Sequence, residues 1–204
     1  MVRKIVTTRY IDEKEGFEYQ FEPIEDTLKI KKTKAGYEAR YLIQENDPQD
    51  PREDENLGTM VCFHKRYTLG DKTDLTSEQF DGWKALEKYL IEEKNAVVVL
   101  PLYMYDHSGI SIATFRHGQH ASWDCGQIGF IYATKEDIKR IGIKKSQVEK
   151  SLIHEVEYYN KYVQGDCYCL VKETYNAKKE YIDHDTLGGF FGYSEAVDAL
   201  ETEI

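Results

Sequence analysis

The chain has 204 residues, 13% of them aromatic with 16 tyrosines, and a formal charge of −10 from 27 basic and 37 acidic side chains. So many aromatics exclude a disordered chain, which lacks the apolar surface to offset the entropy of ordering. The acid excess argues against a protein whose task is to grip a phosphate backbone, since that takes clustered lysine and arginine.

The length fits one domain, 1–204, of somewhat above-average size. The longest apolar run, Ala96 to Tyr105, is interrupted by Pro101 and falls short of the roughly 20 residues that span a bilayer. Met1-Val2-Arg3-Lys4-Ile5 is charged but leads into no apolar core with a small-residue cleavage site, so no secretion signal is read and a cytoplasmic location is expected.

To about Asn46 the pattern is that of antiparallel strands. Phe17-Glu18-Tyr19-Gln20-Phe21 alternates apolar and polar, and Tyr37 to Ile43 begins the same way after the turn signal Lys34-Ala35-Gly36. This predicts a β-hairpin between Leu28 and Ile43 inside an N-terminal hairpin region, 1–46. Residues 44–58 hold two prolines and six acids with almost nothing apolar, the composition of a solvated acidic loop. Met60-Val61-Cys62-Phe63 reads as a strand before the turn Leu69-Gly70-Asp71. Thr76 and Gln79 form a capping box, and Phe80, Trp83, Leu86 and Leu90 follow at helical spacing, predicting a helix from about Ser77 to Glu93. Ala96 to Leu100, β-branched and uncharged, predicts a central strand buried on both faces.

A second box, Ser146 with Glu149, opens a helix with the stripe Val148, Leu152, Val156, Tyr159 and Val163, closed by Gln164-Gly165-Asp166. A strand from Cys167 to Glu173, a partner near Tyr181, the stretch Gly188-Gly189-Phe190-Phe191-Gly192 and a short helix capped by Ser194, with Val197 and Leu200 inward, complete the chain. Strands outnumber helices and short turns join most neighbours. The expected class is α+β: a mainly antiparallel sheet with two longer helices packed on one side and a short C-terminal helix.

Residues able to do chemistry concentrate between Leu100 and Thr134. His117 and His120, with Asp106-His107 upstream and Asp124-Cys125 downstream, supply donors of the kind that hold zinc. In a loop, however, a spacing of three does not set both rings on one side as a helical HExxH does. A metal, were one bound, would sit on His117, His120 and Asp124; neither metal nor other cofactor is expected. Cys125 beside His107 or His120 would make a thiol nucleophile, yet Asp124 and Cys125 are adjacent and point opposite ways in extended chain. No catalytic residue is assigned outright, and an enzyme reading rests on His107, His120 and Asp124. Asp106-His107-Ser108-Gly109 is ordinary turn chemistry, and the glycines of 188–192 lack the basic residues of a nucleotide cradle. The four cysteines form no CxxC and read as reduced, hydrophobe-like thiols.

Charge is unevenly placed. Glu45, Asp47, Asp50, Glu53, Asp54 and Glu55 face only Arg52, and after Lys179 seven carboxylates follow with no lysine or arginine. Two acidic patches are predicted.

Leu100 to Ser111 with its Tyr105-Asp106-His107-Ser108-Gly109 core, and Trp123-Asp124-Cys125-Gly126-Gln127-Ile128-Gly129-Phe130-Ile131-Tyr132 running into Thr134-Lys135-Glu136, resemble motifs of a group of small uncharacterised proteins of bacteriophages and mobile elements. Glu155-Val156-Glu157-Tyr158-Tyr159, Gln164-Gly165-Asp166 and Gly189-Phe190-Phe191-Gly192 are similar to later parts of the same pattern. The likeness covers roughly the last two thirds of the chain and assigns no activity. In that group the Cys125 position is commonly Ser and those of Cys167 and Cys169 are not cysteine, a departure that counts against thiol chemistry. The genetic company implies a non-catalytic intracellular protein that inhibits a host nucleic-acid-directed defence protein. Glu45, Asp47, Asp50, Glu53, Asp54, Glu55 and Trp123 would then form the contact surface, its carboxylates filling a basic groove meant for phosphates. The partner is a host protein with a basic surface, in the host cytoplasm, with no direct contact to nucleic acid or membrane. The alternatives are a His/Asp-based, metal-assisted hydrolase and a binder of a small nucleotide signal.

Overall fold

The computed structural model describes residues 3–6, 9–116 and 125–202, the first four as backbone. In chain order the strands are β1 (Arg3–Val6), β2 (Arg9–Asp12), β3 (Phe17–Tyr19), β4 (Lys29–Lys32), β5 (Gly36–Gln44), β6 (Thr59–Cys62), β7 (Ala96–Asp106), β8 (Ile110–Ala113), β9 (Cys125–Thr134), β10 (Cys167–Asn176) and β11 (Tyr181–Phe191). The helices are α1 (Trp83–Glu92), α2 (Lys135–Ile141), α3 (Val148–Val163) and α4 (Tyr193–Thr202). The class is α+β, as the alternation of the strands implies, and no helix of the described residues is long and apolar enough to cross a membrane.

Contacts gather into two compact units, 1–49 with 165–204 and 50–164. The chain leaves the first after Gln49 and returns to it at Gly165. The one-domain reading of the sequence marks neither boundary.

In the first unit the strands run in the order β11-β10-β5-β4, every neighbour antiparallel, with a separate sheet β1-β2-β3. The predicted hairpin is β4–β5. Gly36 opens β5 where a Cβ would lie 2.1 Å from the Tyr175 carbonyl, so no side chain fits there. Alternation along β5 sends Ala39 and Tyr41 to one face, against Phe17, Tyr19, Val171 and Tyr175, and Leu42 to the other, against Leu170, Ala196 and Leu200. One face is therefore covered by β3 and the other by α4. The same period turns Glu173 inward, fully buried between Val171 and Tyr175. One of its oxygens accepts from the Gln20 N–H at 2.7 Å, and the other meets the Tyr175 hydroxyl, which also reaches the Glu18 carbonyl at 2.6 Å. Burial, with the Glu173 carboxylate beside them, raises the Tyr41 and Tyr175 phenols far above their usual range.

In the second unit the order is β6-β9-β7-β8, again antiparallel. Leu86 and Leu90 of α1 pack on Val61, Phe130 and Tyr132, whereas Leu152, Val156 and Tyr159 of α3 pack on Met60, Leu102, Ile131 and Ala133. Successive residues of β9 face opposite ways, so the two longer helices lie on opposite faces of this sheet and not together on one side. Between them Val98 and Leu100 turn toward the α3 core and Val99 toward the α1 core, half-buried on both faces.

The helix expected from Ser77 starts later. Thr76 and Gln79 do exchange capping bonds, but over a single 3₁₀ turn, Ser77–Gln79; Phe80 is extended and Gly82, at φ 80°, begins α1. Helix α2 is too short to carry a periodic stripe, yet its start and stop signals are present. Thr134 and Asp137 cap one another, and Gly142 at φ 77° ends the last turn in the left-handed conformation.

Candidate functional site

The acidic segment belongs to both units: Glu45 and Asp47 fall in the first, and Asp50, Glu53, Asp54 and Glu55 in the second. Glu45 is half-buried, its carboxylate accepting from the Gly189 N–H at 2.9 Å, while Asp47 is exposed.

From Asp50 the chain is not a loose loop. The Asp50 carboxylate accepts from the Arg52 N–H at 2.8 Å, Pro51 takes the first helical position, and one 3₁₀ turn runs Pro51–Glu53. Asn56 donates to the Pro51 and Asp54 carbonyls, both at 2.9 Å, and Leu57 is buried.

Arg52 fastens the turn. Its side chain is 4% exposed and points inward, with Nε and Nη2 on the two Asp71 oxygens at 2.8 and 2.9 Å, Nη2 also on the Gly58 carbonyl at 2.6 Å, and Nη1 on Glu155 at 3.2 Å. The remaining carboxylate lone pairs are used as well: Glu155 accepts from the Leu57 and Gly58 N–H groups at 2.7 and 3.1 Å, and Asp71 from Met60 at 2.7 Å. Burial disfavours the guanidinium, but the Asp71 and Glu155 carboxylates outweigh it and hold Arg52 above its ordinary value. The Tyr159 hydroxyl accepts from the Gly70 N–H at 2.9 Å, which fixes the turn that carries Asp71.

The consequence lies outside. Arg52, the one base of the acidic run, is consumed internally, and Glu53, Asp54 and Glu55 face outward. Among the described residues, Lys72 lies 3.9 Å from Glu53 and Arg140 lies 2.9 Å from Glu55, both pairs in solvent. Two recesses border the turn, of about 130 and about 480 Å³, sharing His154 and Glu155 of α3; Tyr158 lines the smaller and Leu57, Ile141 and Ile143 the larger.

The histidine cluster falls partly outside the described residues, which exclude His117, His120, Trp123 and Asp124. Of the others, Asp106 ends β7 and pairs with Arg66; His107 follows, its ring 6.0 Å from that of Tyr105. Ser108 at φ 58° and Gly109 at φ 135° make the predicted turn into β8, closed by the His107 N–H on the Gly109 carbonyl at 3.1 Å. Cys125 is buried opposite Tyr105. Among the described residues no three His, Cys, Asp or Glu side chains converge as a metal site. All four cysteines are free thiols, and burial pushes Cys62 up to about 12 and Cys167 and Cys169 up to about 11.

The Arg52–Asp71–Glu155 cluster escapes a reading by motif because its members are 19 and 103 positions apart. Its one sequence signal is a lone arginine after a proline in an acidic run. No protein-family model, curated protein or solved structure matches this chain.

Proposed function

We propose that the chain is a non-catalytic binding protein whose acidic turn, Asp50 to Glu55, engages a basic surface on a partner protein. Following the resemblance of its sequence motifs, the partner is a host nucleic-acid-directed defence protein and the chain a phage or mobile-element inhibitor of it. The inward anchoring of Arg52 carries this reading: it leaves the outward side of the turn entirely acidic and holds the backbone under those acids in one conformation. An ordered turn loses little conformational entropy on binding, and grouped carboxylates speed encounter with a basic groove. Trp123, outside the described residues, is retained as a proposed contact from the sequence alone. Capture from host lysate at increasing salt, with wild type beside a Glu53→Lys/Asp54→Lys variant, tests it. A basic partner retained at low salt, released as salt rises and lost in the variant is the expected outcome; retention indifferent to both changes would overturn the reading.

One observation favours a second reading, the His/Asp hydrolase. The register pairs Cys125 with Tyr105, so β9 begins at the sheet end where Asp106 and His107 sit; His117, His120 and Asp124 lie outside the described residues. Metal analysis and ester and phosphoester hydrolysis by wild type, His107→Ala and His120→Ala decide it; turnover lost in both variants would favour the enzyme.

A further inference from the structure

The two edges of the first unit's sheet carry opposite charge. Edge strand β11 holds Asp183 and Asp185 and neither lysine nor arginine, whereas edge strand β4 is Lys29-Ile30-Lys31-Lys32 with no acid. The register runs straight across between them. Asp185 is opposite Lys172, Lys172 opposite Arg40 and Arg40 opposite Lys29; one row along, Asp183, Thr174, Glu38 and Lys31 line up in the same way. By the strand period, both rows lie on the face that carries Leu42 and Leu170. Each row therefore begins with an exposed aspartate and ends with an exposed lysine. β11 also leaves Ile182 56% and Leu187 55% exposed, and β4 borders a recess of about 520 Å³ walled by Leu28 and Ile30 among Lys29, Lys31, Glu38 and Arg40.

Strand direction alternates across the sheet, so a second copy shifted sideways without turning brings its β11 antiparallel to β4 of the first. That shift places Asp185 opposite Lys29 and Asp183 opposite Lys31, on one face and in one antiparallel register. We propose that the protein associates with a second copy of itself in this way, β4 of one molecule against β11 of the next. Opposite charges directly across a strand pair stabilise it and like charges oppose it, and the pairing satisfies the backbone groups that an edge strand leaves open. Charge also selects against the alternatives, since β4 on β4 sets lysine against lysine and β11 on β11 brings aspartates together. The contact is head to tail, so a sideways shift continues into an open chain, and only the twist of the sheet could add the rotation that closes a ring.

Light scattering and sedimentation of the full chain over a range of concentrations, at low and high salt, test the proposal. Average mass is expected to rise with concentration and to fall as salt is added. Lys29→Glu/Lys31→Glu and Asp183→Lys/Asp185→Lys should each stay monomeric alone and keep the circular dichroism of wild type, because all four side chains are exposed, with a small loss in melting temperature since Asp185 gives up its 3.0 Å pair with Lys172 and Lys31→Glu faces Glu38. Mixed in equal amounts, the two variants should at least double their average mass, since every edge contact between them again sets acid against base. A monomeric wild type, association kept by either variant alone, or a mixture that stays monomeric would each overturn it.

Discussion

Arg52 and Asp71 meet through two parallel hydrogen bonds, Nε to Oδ1 at 2.8 Å and Nη2 to Oδ2 at 2.9 Å, with the arginine side chain 4% exposed. Removing the cation leaves two carboxylates, Asp71 and Glu155, in a poorly solvated place with no counter-charge. Arg52→Ala should cost about 3 to 5 kcal/mol, the penalty for stranding one side of a buried pair. Arg52→Lys should recover only part of it, because an ammonium cannot make the parallel fork or reach Gly58 and Glu155 together. Urea unfolding of the two variants checks this; a loss below about 0.5 kcal/mol, typical of an inert surface change, would show that the cluster does not anchor the turn.

Gly129 and Gly126 form a matched pair on β9. A Cβ at Gly129 would stand 1.8 Å from the Val61 carbonyl, where β6 closes on the strand, whereas one at Gly126 meets nothing within 4 Å. Gly129→Ala should therefore push β6 out of register and cost at least about 1 to 3 kcal/mol, as overpacking does. Gly126→Ala should stay within about 0.5 kcal/mol of wild type in the same thermal melt.

Local signals were legible where one backbone preference decided the outcome. The β4–β5 hairpin and the buried stripe Val148, Leu152, Val156 and Tyr159 follow from period and turn residues alone. The Thr76–Gln79 box misled because a cap satisfies donors at the start of a turn but cannot carry the helix past an extended Phe80 and a left-handed Gly82. Helix α2 was legible in Thr134, Asp137 and Gly142, but its seven residues are too few for a periodic stripe. Tertiary facts were not legible. Which face of β9 each helix covers depends on registers that no local preference sets, and burial of Glu173 shows only once Gln20, 153 positions away, arrives to donate to it. The acidic segment was visible as composition; that Arg52 turns inward was not.

Stability should fall as pH rises above about 9. Burial lifts Cys62 from 9.0 to about 12, Cys167 and Cys169 from 9.0 to about 11, and Tyr159 from 10.0 to about 12. Below the ordinary thiol value these groups keep their protons folded or unfolded and contribute nothing to pH dependence. Above it the unfolded chain releases protons that the folded chain retains, so the unfolded state binds fewer and the free energy of unfolding decreases. Denaturant midpoints should drop steadily from about pH 9 upward, and Cys62 should resist alkylation in native protein yet react at once in denaturant. A flat alkaline limb, or Cys62 labelling at the rate of a free thiol, would contradict this.

Arg140 competes with any basic partner for the acidic turn. Its pair with Glu55 is exposed on both sides, and pairs of that kind contribute little, weak enough for an incoming lysine to replace it. If grouped charge drives recognition, Arg140→Ala should tighten binding of a lysine-rich peptide several-fold at low salt, and the gain should shrink as the Debye length falls from about 10 Å at 0.1 M toward about 3 Å at 1 M. Glu53→Lys/Asp54→Lys should weaken the same binding without altering the melting temperature. Arg140 also donates to the Asn56 carbonyl at 2.8 Å, so it contributes to the order of the turn as well as masking its charge. The two roles predict opposite signs in calorimetry: tighter binding on removing Arg140 means charge dominates, and weaker binding would mean that the shape of the turn, held by that bond, matters more than its carboxylates.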